Sequence, residues 1–190
     1  MVTPTLTYVD KALVISWTAP NYNFSPISEY KIEFMAVDGV TWYQDQFDCD
    51  GSNPDILMSL QCTIPMLTLQ EPPFNLVLGS PILARISATN VIGVSPPSVV
   101  NLPLTPVNTV PLQPTLPIRG VMTNTVQVDL RWEDLNADQR NGGSVITSYE
   151  VLWDSGTGGQ VWTELTGYTV PLSTPYYLAT SVTMGTRYKF

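Results

Sequence analysis

Two stretches of this chain alternate apolar and polar residues in the same way. ALVISWTAP (12–20) leads into SPISEYKIEF (25–34), and QVDLRWEDL (127–135) leads into SVITSYEVLW (144–153). Alternation with period two puts one set of side chains on one face of a β-strand and the other set on the opposite face. Each copy is a strand closing on Trp, a polar turn, and a second strand centred on Tyr. Trp17 and Trp132 lie more than a hundred residues apart, as do Tyr30 and Tyr149. That spacing is a domain period, far above the roughly 20–50 residues of a solenoid repeat. The chain therefore reads as two tandem copies of one small β domain.

The pattern predicts seven strands in the first copy, near 5–9, 12–18, 28–36, 40–48, 62–69, 81–90 and 94–102. Turn residues separate them at Asp10-Lys11, Pro20–Pro26, Asp38-Gly39, Asp50–Pro54 and Val91–Gly93. Short strands at such intervals suggest an antiparallel sandwich. The run PLTPVNTVPLQPTLP (103–117) is rich in proline and carries no charge; proline fixes φ and donates no hydrogen bond, so this reads as a semi-rigid connector. Strands of the second copy are predicted near 125–132, 146–154, 160–165, 176–182 and 187–190, with GTGG (156–159) as a flexible hairpin tip. No segment shows helical periodicity capped at both ends. The expected division is a first domain over 1–105, a proline-rich linker over 106–117 and a second domain over 118–190.

Composition narrows the classes. The 190 residues are 44% hydrophobic and only 13% charged, with 17 Pro and 12 Gly, which is globular all-β material. The net charge of −8 comes with scattered bases and no basic stripe, which argues against nucleic acid and against anionic membrane surfaces. No apolar run is long enough to span a bilayer, and the start, MVTPTLTYVD, has neither a charged nor an apolar signal region. Histidine is absent, which removes the commonest general base and the usual triad. Glu133 and Asp134 are adjacent, so on a strand they would point to opposite faces. GTGG lacks the Lys-Ser/Thr of a phosphate loop. No catalytic residue and no cofactor site is expected.

Within the sandwiches, an immunoglobulin domain carries its Trp on the third strand against a disulfide joining the second and sixth. Here each Trp closes the second strand, and the only cysteines, Cys49 and Cys62, fall on the fourth and fifth. The chain instead resembles tandem fibronectin type III repeats: Trp17 and Trp132 on strand B, Tyr30 and Tyr149 on strand C, and ARISATNVIGVSPPS (84–98) on strands F and G. The run Ala88-x-Asn90-x-x-Gly93 followed by Ser-Pro is its most family-specific part. More narrowly, CDGSNPDILMSLQCTIPM (49–66), PFNLVLGSPILARISATN (73–90) and WDSGTGGQVWTEL (153–165) resemble repeats of large secreted or surface proteins of ciliates and related protists, where a cysteine-bearing type alternates with a Trp-Asp hairpin type. One departure is Ile82, where the family usually has an F-strand Tyr; Tyr188 keeps it in the second copy. Aligning Gly185–Tyr188 with Gly79–Ile82 leaves the second domain truncated in strand F, and the chain reads as an excerpt, with strand donation by a neighbour as the rival explanation.

The resemblance implies a secreted setting and hence a Cys49–Cys62 disulfide, which would close a loop worth roughly 3 kcal/mol in the chain-entropy picture; two free thiols are the alternative. Two Cys without His cannot complete a tetrahedral zinc shell without unusual partners. The acidic run Asp45, Asp48, Asp50 and Asp55 fails the helix–loop–helix calcium pattern, because Asn53 and Ser59 stand where Gly and Glu are needed; a weaker calcium site and a plain polar turn remain as readings. Asn23-Phe24-Ser25 is the single N-glycosylation sequon, with Pro26 directly after it working against occupancy. Thr105, Thr109 and Thr115 stand near linker prolines, the composition of O-glycosylated stalks. Trp42, Tyr43, Trp162, Tyr176 and Tyr177 include rings that strand alternation turns outward, where a sugar could stack.

The expected function is that of a non-enzymatic extracellular structural or adhesion module, a fragment of a larger multi-repeat surface or filament-forming protein. Its partners would be other repeats, neighbouring surface or filament proteins, and glycans, with no nucleic acid and no direct membrane contact. A ligand-binding receptor ectodomain and an accessory module of a secreted hydrolase are the alternatives.

Overall fold

The computed structural model describes residues 3–137 and 140–190. It divides into two compact units, Met1–Val110 and Pro111–Phe190. The protein is almost all β.

In the first unit the elements run β1 (Thr5–Val9), β2 (Ala12–Ser16), β3 (Ile27–Met35), β4 (Trp42–Tyr43), α1 (Pro54–Ser59), β5 (Gln61–Pro65), α2 (Met66–Gln70), β6 (Pro81–Ile82), β7 (Ala84–Asn90), β8 (Gly93–Val94) and β9 (Thr105–Pro106). They form an antiparallel three-stranded sheet, β1-β2-β5, and an antiparallel four-stranded sheet, β4-β3-β7-β8. This is the strand order of a fibronectin type III sandwich. The predicted alternation decides which faces meet. Leu13 and Ile15 from β2 and Trp17 just after it, with Cys62 and Ile64 from β5, share one core with Tyr30, Ile32 and Phe34 from β3 and with Ala84, Ile86 and Ala88 from β7. Each large aliphatic or aromatic side chain buried there stabilises by roughly 1.5–3 kcal/mol. Register aligns the faces, with Ile15 opposite Cys62 and Ile32 opposite Ile86.

Three expectations change in this unit. The strand predicted at 40–48 shrinks to β4, because Asp38 and Asp45 turn the chain on both sides: Asp38 accepts from the Val40 and Thr41 amides, Asp45 from those of Phe47 and Asp48. Two short helices stand where none was expected. The Asn53 side chain caps α1 by accepting from the Asp55 amide at 2.9 Å, with Pro54 opening the helix and Leu60 closing it in the left-handed region. The strand predicted at 62–69 then divides into β5 and α2. Gly51 is required by contact: a side-chain carbon there would sit 1.7 Å from the Tyr30 carbonyl oxygen, and the Gly51 carbonyl accepts from the Tyr30 amide.

The third change concerns 94–102. Only Gly93–Val94 pairs as a strand. Beyond it, Ser95, Ser98 and Asn101 each touch β7 twice. Their amides donate to the Ala88, Ile86 and Ala84 carbonyls, and their side-chain oxygens accept from the Ala88, Ile86 and Ala84 amides. Contact at every third residue is the period of a polyproline II segment, not of a pleated strand, and Pro96 and Pro97 could not donate to a ladder in any case. Side chains here stand in for the missing backbone partners of β7.

The packed part of the first unit also runs beyond position 105. Thr105–Pro106 pairs with Pro81–Ile82, and Val107 is fully buried in the core, so the first residues assigned to the linker belong to the sandwich. In the second unit, β10 (Ile118–Arg119), β11 (Gln127–Arg131) and β14 (Tyr176–Thr180) form one antiparallel sheet, and β12 (Val151–Trp153) and β13 (Thr163–Thr166) form another. Among the described residues no second strand pairs with β12. The strand expected at 187–190 is instead a segment whose Lys189 carbonyl accepts from the Asp154 amide.

Candidate functional site

Each unit is built around one tryptophan–tyrosine pair. Trp17 and Tyr30 meet edge to face at 5.2 Å and 63°, Trp132 and Tyr149 at 5.5 Å and 68°. The Trp17 and Trp132 indole nitrogens are both buried without a hydrogen-bond partner, so both rings serve as core. Tyr149 adds a polar tie: its hydroxyl donates to the Asp134 carboxylate and accepts from the Leu135 amide.

The cysteines are joined. Cys49 and Cys62 form a disulfide with Cα atoms 5.2 Å apart, both nearly fully buried. The bridge fastens the segment before α1 to β5, beneath which Trp17 and Ile64 pack. Around it the acidic side chains are used locally. Asp45 holds its own turn, and Asp50 accepts from the Ser52 amide and hydroxyl, which keeps its carboxyl below the usual carboxylate range. Among the described residues no group of three or more His, Cys, Asp or Glu side chains is placed to hold a metal ion.

Several other ionisable groups pair with neighbours. On the outer face of the four-stranded sheet, Glu33 is buried between Lys31 at 2.7 Å and Arg85 at 2.9 Å. Burial pushes its carboxyl up, but hydrogen bonds and charge from both cations outweigh that and hold it below its ordinary value. Arg85 also lies 4.1 Å over the Trp42 ring. In the second unit Glu133 pairs with Arg140, and Asp129, fully buried, takes the Arg131 guanidinium at 3.1 Å.

The GTGG hairpin is not the flexible tip its glycines suggest. The buried Asp154 carboxylate accepts from the Gly156, Gly159 and Lys189 amides, and the Lys189 ammonium donates to the Gly158 carbonyl at 2.8 Å. The Lys189 amide is the largest influence on Asp154 and lowers its pKa; burial opposes it, and the glycine amides add to the lowering. Trp153 stacks on Tyr188 and Phe190 beside this knot. No local motif reader would find it, because the second partner lies 35 residues away.

Of the modification candidates, Asn23 is exposed at the tip of the 20–26 loop and Thr115 is exposed, while Thr109 is half-buried. Thr105 corrects the expectation: it is 8% exposed and pairs with Ile82, so a sugar on its hydroxyl would have to displace the sheet. Among the outward rings, Trp42 lies under Arg85 and Tyr43 packs on Phe74. The Tyr177 hydroxyl donates to the Leu165 carbonyl. Trp162 and Tyr176 are about half exposed; Trp162 directly precedes β13, whereas Tyr176 opens β14 in the other sheet.

No protein-family model matches the chain. Over 158 residues it is 25% identical to the neuronal cell adhesion molecule of Mus musculus, a likeness covering 83% of this chain and 11% of that protein. The chain thus spans about a tenth of the length of that relative. The crystal structure of chicken CNTN1 FN1-FN3 domains aligns with 98% of this chain and 57% of its own, with a TM-score of 0.42 and 18% identity. The strand order of the first unit defines a fibronectin type III-like sandwich, and the curated relative that the chain resembles is a cell adhesion molecule.

Proposed function

We propose that this chain is a non-enzymatic adhesion or structural segment of a larger extracellular protein, in which fibronectin type III-like units follow one another and present loops and sheet edges to neighbours. The observation that carries this reading is the likeness to a cell adhesion molecule running through 158 residues, more than either unit alone contains. The disulfide supports it, since structural bridges persist in oxidising compartments. The partners are other repeats of the same protein or neighbouring surface or filament proteins, and the narrower resemblance points to multi-repeat surface proteins of ciliates and related protists.

The test is location and redox state in the native source. Antibody raised to the chain should label intact, unpermeabilised cells, and peptide mapping without reduction should recover Cys49 linked to Cys62. Labelling only after permeabilisation, with both thiols free to alkylate, would sink the proposal.

A further inference from the structure

We propose that Asn23 carries an N-linked oligosaccharide, attached before the first unit folds, whose inner sugars cover the aromatic tip of the 20–26 loop. The inference rests on the extracellular reading, because the modification needs a secretory lumen. Four observations converge on it. Asn23 is exposed, and its side-chain amide makes no hydrogen bond among the described residues, although its backbone amide is fixed to the Asn21 side chain at 2.9 Å. The loop holds its shape by itself: the Ser25 amide donates to the Tyr22 carbonyl, and Asn23 and Phe24 both take positive φ, at 48° and 64°. Such a conformation is tolerable for Asn but strained for Phe.

The third observation is what that turn does with its aromatic residue. Phe24 is 99% exposed, and Tyr22 beside it is 56% exposed. The Asn90 side chain donates to the Ser25 carbonyl, and Ile27 pairs with Asn90, so the 91–93 turn leaves the sheet at the same end. Val91 and Ile92 there are also almost fully exposed. A cluster of bare apolar tips around a protruding loop marks a surface that is covered in use. Sugar rings suit it: their C–H faces lie on aromatic rings while their hydroxyls stay in water.

The fourth observation sets the timing. The Ser25 hydroxyl, the third member of the acceptor sequence, is buried with no hydrogen-bond partner. An enzyme that must read that hydroxyl cannot reach it in the folded unit, so transfer precedes folding. In the transfer, the Asn23 side-chain nitrogen forms a bond to C1 of the donor sugar. The bond from C1 to the oxygen of a polyprenyl pyrophosphate breaks, the pyrophosphate leaves with the electron pair, and the amide nitrogen gives up one proton. Nothing is oxidised or reduced.

The test is expression of the chain behind a secretion leader in eukaryotic cells, with Asn23→Gln, Ser25→Ala and Ser25→Thr alongside. Expected are an added oligosaccharide mass on the wild type and on Ser25→Thr, its loss in the other two, and conversion of Asn23 to Asp when peptide N-glycosidase removes it. Protein in the medium with an intact Cys49–Cys62 bridge but an unmodified Asn23 overturns this inference and leaves the extracellular reading standing. Conversely, native protein found inside cells sinks that reading, while forced secretion still reports on Asn23. Timing has its own measurement: the bacterially made, folded chain offered to an oligosaccharyltransferase with its lipid-linked donor should stay unmodified, while the peptide 18–30 is modified. Equal modification of both overturns the order of events. For the covering role, the enzymatically deglycosylated chain should bind an apolar fluorescent dye several-fold more than the glycosylated one, and Phe24→Ala should abolish the difference; unchanged dye binding would show that the sugars leave the tip bare.

Discussion

The two units share a signature and differ in how it is enclosed. In the first, Trp17 and Tyr30 lie between two complete sheets, and β3 is paired on both sides, by β4 and β7. In the second, the equivalent Trp132 and Tyr149 meet at nearly the same distance and angle, yet β12 is paired on one side only among the described residues, and Trp132 is half-buried. The second unit leans instead on buried carboxylates that collect backbone amides and cations: Asp129 with Arg131 and the Met122 amide, and Asp154 with three amides. One motif therefore does not imply one kind of stability. An aromatic pair organises strands B and C in both units, but apolar enclosure dominates the first and polar ties the second.

The largest expected effect breaks that comparison directly. Trp17→Ala should cost about 3–5 kcal/mol, the range for deleting an enclosed aromatic side chain, whereas Trp132→Ala should cost less, because that residue is only half-buried. Guanidinium titrations read by hydrogen exchange at amides assigned to each unit would measure both. Equal losses would mean that the second core is as closed as the first.

How legible this was depends on the length scale of each interaction. Strands B and C of the first unit could be read because Leu13, Ile15, Trp17 and Tyr30, Ile32, Phe34 alternate strictly, and burial follows the same alternation except at Glu33, which Lys31 and Arg85 cover on the outer face. The cysteine pair was legible only through the resemblance to secreted repeats, since the residues by themselves left two free thiols as the alternative. The G edge was not. Its contacts repeat every three residues through Ser and Asn side chains, so neither a period-two nor a period-3.6 search responds to it. Thr105–Val107 was hidden too, since proline composition suggests a spacer while its pairing with 80–82 lies across a long sequence separation. The cap Asn53-Pro54-Asp55 fell in and beside a run read only as a turn, and the helix it starts has six residues, too few for apolar periodicity. For the candidate glycan, the sequon was plain; the bare Phe24 and the buried Ser25 hydroxyl needed coordinates.

A smaller effect sharpens the role of side-chain pairing in the first unit. Ser98 is 8% exposed, and its hydroxyl accepts from the buried Ile86 amide at 3.1 Å. Ser98→Ala leaves that amide without a partner, a desolvation cost of about 1–3 kcal/mol. Exchange of the Ile86 amide should quicken by the matching factor while amides of the second unit keep their rates. If Ile86 exchanges as before, the three-residue ladder contributes nothing, and apolar packing alone holds the G edge.

The smallest effect concerns acid, and it should separate the units by the groups that titrate. In the second, the folded-state pKa of Asp154 is lowered, first by the Lys189 amide and then, against burial, by the Gly156, Gly159 and Gly158 amides. A carboxyl whose pKa is lower folded than unfolded binds protons more readily in the unfolded chain, so stability rises with pH. Its contribution is complete above the ordinary carboxylate value of about 4 and is lost as pH falls through the lowered folded value. Glu33 behaves with the same sign in the first unit, held down by Lys31 and Arg85 against burial. Asp154→Asn keeps one of the two oxygen acceptors, replaces the other by a donating amide NH2, and removes the charge. Exchange at the Gly156 and Gly159 amides should then respond less steeply to acid below about pH 4, with the first unit's profile unchanged because Glu33 is intact. A variant whose hairpin amides keep the wild-type acid response would show that the Asp154 charge is not what pins the hairpin to Lys189, and that the polar tie distinguishing the second unit is geometry alone.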